Sequence, residues 1–100
     1  MKSREEEILR ITQEECAEVI QAISKIFRFG FFERYPIKGP NNLEKLEEEI
    51  GDLLCMIDLL VENGLVNESN LKYAAKAKML KLKKWSKILD KSEDKNEKSN

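Results

Sequence analysis

Apolar residues recur every three or four positions along three stretches of the chain, which is the spacing of amphipathic helices. No stretch alternates apolar and polar residues in the way that predicts a half-buried strand. The predicted fold class is therefore all-α, with three long helices. Their expected bounds are Ser3 to about Arg28, Asn41 or Asn42 to about Glu62, and Asn67 to about Asp90. Ser3 and Glu6 are expected to form a capping box, and Asn63-Gly64 is expected to end the second helix.

The second helix is apolar on nearly its whole circumference. Its main stripe comprises Leu43, Leu46, Ile50, Leu53, Leu54, Ile57, Leu60 and Val61. Cys55, Met56 and Leu59 add a second apolar side. Such a helix has to be covered on nearly all sides, and three helices in one small domain leave apolar surface exposed. We therefore expect a helical bundle of three long helices per chain, completed by homo-oligomerisation into a dimer or a tetramer.

Four acidic residues occupy unusual positions in the first two helices. Glu15 and Glu18 are three residues apart, as are Glu49 and Asp52, so each pair projects from one side of its helix. Glu15 lies in the middle of the first apolar stripe, where an unpaired carboxylate carries a large free-energy penalty or stays protonated. That stripe comprises Ile8, Ile11, Val19, Ala22 and Ile26. A divalent cation shared by the four carboxylates removes the penalty, so the pattern predicts a metal site inside the bundle.

Spacing alone is a weak argument, because charged residues make up 37% of the chain. The helical-wheel position of Glu15 carries the metal hypothesis, whereas Glu14 and Glu48 point further towards solvent. The third helix shows the same anomaly with the opposite sign, because Lys78 falls inside its apolar stripe and Lys81 at the margin. Long lysine side chains can extend from such positions to water, or they can reach the carboxylate site and the phosphates of a ligand.

Composition and charge narrow the function classes. One hundred residues, 41% of them hydrophobic, suffice for one small domain, expected over residues 1–90, and the polar residues 91–100 are expected to be disordered. The net charge of −1 argues against a nucleic-acid partner, and no apolar run approaches the ~20 residues of a membrane span. The absence of histidine excludes most zinc sites. Cys16 and Cys55 fit reduced, buried thiols and, with the charged N-terminus, predict a cytoplasmic location.

The motifs around the four acids match a known pattern. The segments EECAEVIQA and EEIGDLL resemble the E-x-x-E … E-x-x-D motif of the MazG-like all-α nucleoside triphosphate pyrophosphohydrolases. The runs AEVIQAISKIFRFG, LEEEIGDLLCMIDLLVENG and KMLKLKKWS are similar to small phage-type and bacterial members of that superfamily. The resemblance covers roughly residues 9–88, and the Gly51-Asp52 step adds to its specificity.

The resemblance implies a Mg²⁺-dependent enzyme that cleaves a nucleoside triphosphate between the α and β phosphates. Its products are a nucleoside monophosphate and pyrophosphate, and the implied role is nucleotide-pool housekeeping. Glu15, Glu18, Glu49 and Asp52 match the family's metal-binding acids and are the expected catalytic residues. Mn²⁺ is the expected substitute, since both ions prefer oxygen ligands. One acid is expected to act as general base, with Glu18 preferred.

The resemblance also implies cationic substrate-binding residues. Lys78 and Lys81 match basic positions of the terminal helix in similar sequences and would stabilise the departing pyrophosphate. Arg28 would do the same from the first helix. Thirty residues separate Glu18 from Glu49, which is more than in many relatives, so base-recognition residues of shorter members do not transfer.

The long spacer FGFFERYPIKGPNN holds four of the seven aromatic residues. They are Phe29, Phe31, Phe32 and Tyr35. Two interpretations stay open for them: they stack on a nucleobase, or they close the end of the bundle. Asn42 is expected to be a helix cap that can also meet a phosphate or base, and Trp85 is expected to be a core residue.

Three other classes of protein compete with an enzyme. A non-catalytic helical dimerisation module needs neither Glu15 nor Lys78 on an apolar face. A metal-buffering or nucleotide-sensing protein would bind Mg²⁺ and nucleotide without turnover, so the release of pyrophosphate discriminates it from the enzyme. A helix-turn-helix DNA binder is the weakest rival, because acidic residues elsewhere offset the lysines of the third helix.

Overall fold

The computed structural model of the protein describes residues 1–90 and contains three helices: α1 (Ser3–Phe29), α2 (Asn42–Glu62) and α3 (Glu68–Trp85). Within these residues there is no strand, only an isolated bridge between Arg34 and Asn41. The all-α fold class is therefore confirmed. The chain divides into two compact units, Met1–Leu65 and Val66–Asn100. The disordered tail predicted for residues 91–100 lies outside the described residues.

The first unit is a hairpin in which α1 and α2 pack antiparallel. Its buried apolar residues are Ile8 and Ala22 on α1 and Met56 and Leu60 on α2. At the open end of the hairpin, Arg4 Nε donates a hydrogen bond of 2.9 Å to Asn63 Oδ1. The remaining members of the first apolar stripe are half-buried, so the helical period predicted the packed face of α1 correctly.

Side-chain hydrogen bonds cap the start of α2 but not that of α1. The Asn41 side chain accepts a bond of 2.8 Å from Glu44 N, and the Glu44 carboxylate accepts one of 3.0 Å from Asn41 N. This capping box makes Asn41 the cap of α2, which confirms one of the two predicted caps, whereas Asn42, the other, is the first helical residue. The capping box predicted for Ser3 and Glu6 is wrong. Ser3 is itself the first helical residue, and the preceding Lys2 forms no side-chain cap hydrogen bond.

Each helix of the hairpin also carries apolar side chains outside its packed face. The large exposed ones are Leu9, Ile20, Ile23, Phe27 and Phe29 on α1, and Ile50 and Leu54 on α2. Cys16 and Cys55 are free thiols but are exposed, so the prediction that they are buried is wrong. They lie on helix faces that the hairpin does not cover. The second helix is thus apolar well beyond the face that the hairpin buries, as its sequence indicated.

The second unit contains α3. Asn67 caps this helix by accepting a bond of 3.0 Å from Asn70 N, as predicted. The helix ends at Trp85 rather than near Asp90, because Ser86 adopts an extended conformation with φ −137° and ψ 152°. No residue of α3 is buried. The prediction that Trp85 is a core residue is therefore wrong: it is 77% exposed, and Lys84 Nζ lies 5.1 Å from the centre of its ring.

Within residues 1–90, none of the helices combines the length and the hydrophobicity that crossing a membrane requires.

Candidate metal centre

Three of the four predicted acids meet at the middle of the α1–α2 hairpin. One carboxylate oxygen from each of Glu15, Glu49 and Asp52 lies within 4.8 Å of the other two. Glu15 comes from α1 and the other two from α2, so the cluster depends on the antiparallel register of the hairpin. Glu15 and Glu49 are half-buried, whereas Asp52 is exposed. We call these three residues the acid cluster.

Glu18 lies beside the acid cluster rather than within it. Its side chain is exposed, and it lines a small cavity together with Glu49. Its charge nevertheless acts on the cluster, because it contributes to the raised pKa of both Glu15 and Glu49. All four predicted acids therefore occupy one region of the first unit, with Glu18 facing the adjoining cavity.

The electrostatics of the acid cluster are unfavourable for negative charge. The pKa of Glu15 is raised, first by its partial removal from water and then by repulsion from Asp52, Glu18 and Glu14. The pKa of Glu49 is raised by partial removal from water and, after that, by the charges of the neighbouring acids. Both causes disfavour the ionised form. A bound cation would relieve the repulsion, which the described side chains leave uncompensated.

The donor set of the acid cluster fits a small, hard divalent cation. Two protein oxygens that share one Mg²⁺ lie at most about 4.2 Å apart, because each Mg–O distance is about 2.1 Å. The oxygens of the cluster lie within 4.8 Å of one another, so a small side-chain rotation suffices to bring them into that range. Mn²⁺ suits the same carboxylate oxygens.

Two cavities lead from the acid cluster towards the loop between α1 and α2. The smaller, of about 90 Å³, is lined by Glu18, Gln21, Ala22, Lys25, Asn42, Lys45 and Glu49. The larger, of about 280 Å³, is lined by Lys25, Phe29, Glu33, Tyr35, Asn42 and Lys45. Because Lys25, Asn42 and Lys45 line both, the two cavities adjoin, and we call them together the groove. This groove joins carboxylates at one end to aromatic side chains at the other.

Hydrogen bonds attach the loop wall of the groove to the start of α2. Asn42, only 5% exposed, donates from Nδ2 to Gly30 O at 2.9 Å and from its backbone N to Glu33 O at 3.1 Å. Lys45 Nζ donates to Tyr35 O at 3.1 Å. Gly30 has a φ of +91°, a conformation that other residues rarely adopt. These contacts fix the position of the loop relative to the two helices.

The loop aromatics do not close the end of the hairpin within the described residues, since all four are exposed. Phe29 and Tyr35 line the larger cavity, and Tyr35 is 85% exposed. Phe31 and Phe32 contact each other instead, with ring centres 6.1 Å apart. Stacking on a nucleobase therefore remains open for the two aromatics of the groove.

Of the predicted substrate-binding cations, Arg28 belongs to the first unit but is not among the residues that line the groove. Arg28 is exposed, and its guanidinium lies 4.8 Å from the centre of the Phe29 ring. Lys78 and Lys81 are exposed residues of α3, in the second unit, whereas the acid cluster and the groove belong to the first. The roles expected for these three residues stay predictions.

The cations that line the groove are Lys25 and Lys45, which the sequence analysis did not single out. A signal for them exists in the spacing. Lys25 follows Glu18 by seven residues, or two helical turns, and Lys45 precedes Glu49 by four residues, or about one turn. Each lysine therefore lies on the same side of its helix as a predicted acid.

Comparison with known proteins adds one finding. The family model described as the MazG nucleotide pyrophosphohydrolase domain matches residues 3–88. This range includes the four acids, the loop and all three helices. Comparisons with curated proteins and with solved structures find no significant match.

Proposed function

Because the chain belongs to the MazG nucleotide pyrophosphohydrolase family, we propose that it is a Mg²⁺-dependent nucleoside triphosphate pyrophosphohydrolase. It cleaves a ribo- or deoxynucleoside triphosphate between the α and β phosphates, in nucleotide-pool housekeeping. The observation that supports this most is the meeting of three carboxylate oxygens within 4.8 Å of one another, at acids that match the motif of the family. The groove beside them has room for part of a nucleotide.

The four acids have two roles in this proposal. Glu15, Glu49 and Asp52 hold Mg²⁺ or Mn²⁺, which supplies neutralisation of phosphate charge and activation of a water molecule. Glu18, expected from the sequence as a fourth ligand, is assigned as the general base because it faces the adjoining cavity and lies outside the acid cluster. Its carboxylate accepts a proton from the attacking water.

The bond changes follow from hydrolysis at the α phosphorus. The water oxygen forms a bond to the α phosphorus, and the bond from that phosphorus to the oxygen bridging the α and β phosphates breaks. The bridging oxygen leaves with the electron pair as part of pyrophosphate. The nucleoside monophosphate stays behind with the new oxygen, so the reaction consumes one water molecule and needs no other reactant.

Self-association is part of the proposal. The exposed apolar side chains on α1 and α2 outside the packed face are a surface that a second copy can cover. A homodimer or homotetramer in the cytoplasm is the proposed form.

Pyrophosphate release from a panel of ribo- and deoxynucleoside triphosphates, with Mg²⁺ and with EDTA, tests the function. We expect release from at least one member of the panel, together with an equal amount of the monophosphate, and we expect EDTA to abolish it. A folded protein that binds nucleotide but releases no pyrophosphate from the whole panel would favour the nucleotide-sensing alternative over an enzyme.

A further inference from the structure

We propose, as an extension that rests on the function above, that Lys25 and Lys45 bind the α-phosphate of the nucleotide and fix its direction in the groove. The base then lies in the larger cavity, at Phe29 and Tyr35, and the phosphate chain is directed to the acid cluster. The two lysines come from different helices and are the cations shared by both cavities.

The two ammonium groups are available for an anionic ligand. Neither lysine takes part in an ion pair with any residue of the described range, although Glu18 and Glu49 line the small cavity with them and Glu33 lines the larger one. The amine of Lys45 keeps one hydrogen bond, to Tyr35 O at 3.1 Å, which leaves two of its three donors free. This bond holds the amine at the wall of the groove, where the two cavities join.

A pair of lysines is needed in the groove because the neighbouring carboxylates repel an anionic ligand. The acid cluster and Glu18 repel the anionic phosphates of a nucleotide as strongly as they attract a cation. Lys25 and Lys45, which line both cavities, offset this repulsion together with that of Glu33 in the larger one. An ammonium bonded to a phosphate oxygen forms a charge-assisted hydrogen bond, which is about twice as strong as a neutral one.

The order of chemical groups in a nucleotide fixes which phosphate meets the lysines. Base, sugar and α-phosphate are joined in sequence, and Phe29 and Tyr35 line the larger cavity, which contains no member of the acid cluster. Exposed aromatic rings offer stacking faces to a base. The larger cavity, at about 280 Å³, is close to the lower end of the ~300–1,000 Å³ of small-molecule sites. The first phosphate after the sugar then falls at the junction of the two cavities, where both lysines lie.

Calorimetric binding of nucleoside monophosphates in EDTA tests the assignment without metal or turnover. The ligands are the monophosphates and nucleosides that correspond to the triphosphate panel. We expect Lys25→Gln and Lys45→Gln each to weaken monophosphate binding by about 10- to 100-fold, as loss of a charge-assisted bond implies. Binding of the nucleoside should change little, because it carries no phosphate. Lys25→Arg should restore most of the affinity.

Lys38→Gln is the matched control, because Lys38 is an exposed loop lysine that lines neither cavity. Circular dichroism verifies that each variant is folded. Unchanged monophosphate affinity in both glutamine variants, or no monophosphate binding by the wild type, overturns the inference. A wild type that releases pyrophosphate while the variants bind normally leaves the proposed function standing. Loss of monophosphate binding in the variants of a chain that releases no pyrophosphate supports the lysine site and contradicts the enzyme.

Discussion

At the level of single residues, Glu15 and Glu49 are the two acids of the first unit whose pKa is raised. Each is half-buried among other carboxylates, and for each the pKa is raised by partial removal from water and by like charges. Among the described residues, no Lys or Arg forms an ion pair with either carboxylate. A carboxylate that only stabilised the fold would be better placed beside Lys or Arg. The arrangement therefore favours ion binding over folding stability.

The repulsion between these carboxylates predicts that the free energy of unfolding, measured in EDTA, depends on pH. Because the pKa values of Glu15 and Glu49 are higher in the folded chain than in the unfolded one, protonation favours folding. That contribution is complete below the unfolded pKa of about 4.3 and is lost as the pH rises through the raised folded values. We expect Glu49→Gln to reduce this loss, since glutamine does not ionise. Urea unfolding at several pH values between about 4 and 7 measures this loss of unfolding free energy.

The exposed Glu47, also on α2 but outside the acid cluster, provides the control variant Glu47→Gln. Its stability should follow the wild-type dependence on pH. Added Mg²⁺ should stabilise the wild type at pH 7, by about 2.7 kcal/mol at 100 times its dissociation constant, and should stabilise Glu49→Gln much less. Parallel curves of unfolding free energy against pH for wild type and Glu49→Gln would contradict the prediction that the ionised acid cluster destabilises the fold.

At the level of elements, the start of α2 holds the loop and the groove together. The capping box at Asn41 fixes Glu44, whose carboxylate also accepts a bond of 3.0 Å from Arg34 Nη1. The pKa of Glu44 is lowered, chiefly by the hydrogen bond from the Asn41 backbone and further by Arg34. Arg34 in turn donates to Gly39 O at 2.8 Å. One helix cap thus connects the middle of the loop, at Arg34, to its C-terminal end.

Replacement of the cap residue tests this role. Asn41→Ala removes the side-chain acceptor for Glu44 N and should lower the free energy of unfolding by about 1 kcal/mol. For a chain of this size that corresponds to a fall in melting temperature of about 4–8 °C. Ser3→Ala, at a serine that caps nothing, should stay within about 0.5 kcal/mol of the wild type. Thermal unfolding of both variants distinguishes them, and equal effects would contradict the assignment of the two helix starts.

The elements were largely predictable because their signals are local. Helical period and cap residues predicted three helices, the start of α3 at Asn67 and the end of α2 before Gly64, whose φ is +70°. The predicted cap at Ser3 was wrong because a capping motif in the sequence does not show whether its first residue is already helical. The end of α3 was missed because the apolar spacing continues past Trp85, whereas the backbone becomes extended at Ser86.

The candidate site was predictable only in part, because it combines local and non-local information. The spacing of Glu15 and Glu18, and of Glu49 and Asp52, indicated two acidic helix faces. The antiparallel register decides which oxygens meet, and it separates Glu18 from the other three. Lys25 and Lys45 share a helix side with predicted acids, but in a chain with 37% charged residues such spacing is too common to single them out. Their place in the groove depends on the loop that returns to α2.

At the level of the whole molecule, a single chain leaves many large apolar side chains exposed to solvent. Ile20 is 68% exposed, and Ile23, Phe27 and Leu54 are exposed as well. Trp85 was wrongly predicted to be a core residue for a related reason: an apolar stripe in the sequence does not reveal whether the same chain buries it. We expect homo-oligomerisation to cover part of this surface.

A charge placed on this surface should prevent assembly. Ile20→Glu is expected to shift the protein from dimer or tetramer to monomer in sedimentation experiments, because an oligomer would bury the new carboxylate. Ala17→Glu adds the same charge to an exposed position of α1 that lies on its polar side, and should leave the assembly unchanged. A wild type that sediments as a monomer at tens of micromolar would contradict the oligomeric part of the proposal.

The most direct test of the central claim compares pyrophosphate release by the wild type, Glu15→Gln and Glu14→Gln in saturating Mg²⁺. Glu15 belongs to the acid cluster, whereas its exposed neighbour Glu14 does not. Loss of one metal-binding carboxylate should reduce the rate by a factor on the order of 100 or more, with Glu14→Gln within a few-fold of the wild type. Equal rates for folded Glu15→Gln and wild type would contradict a metal-dependent reaction at this cluster.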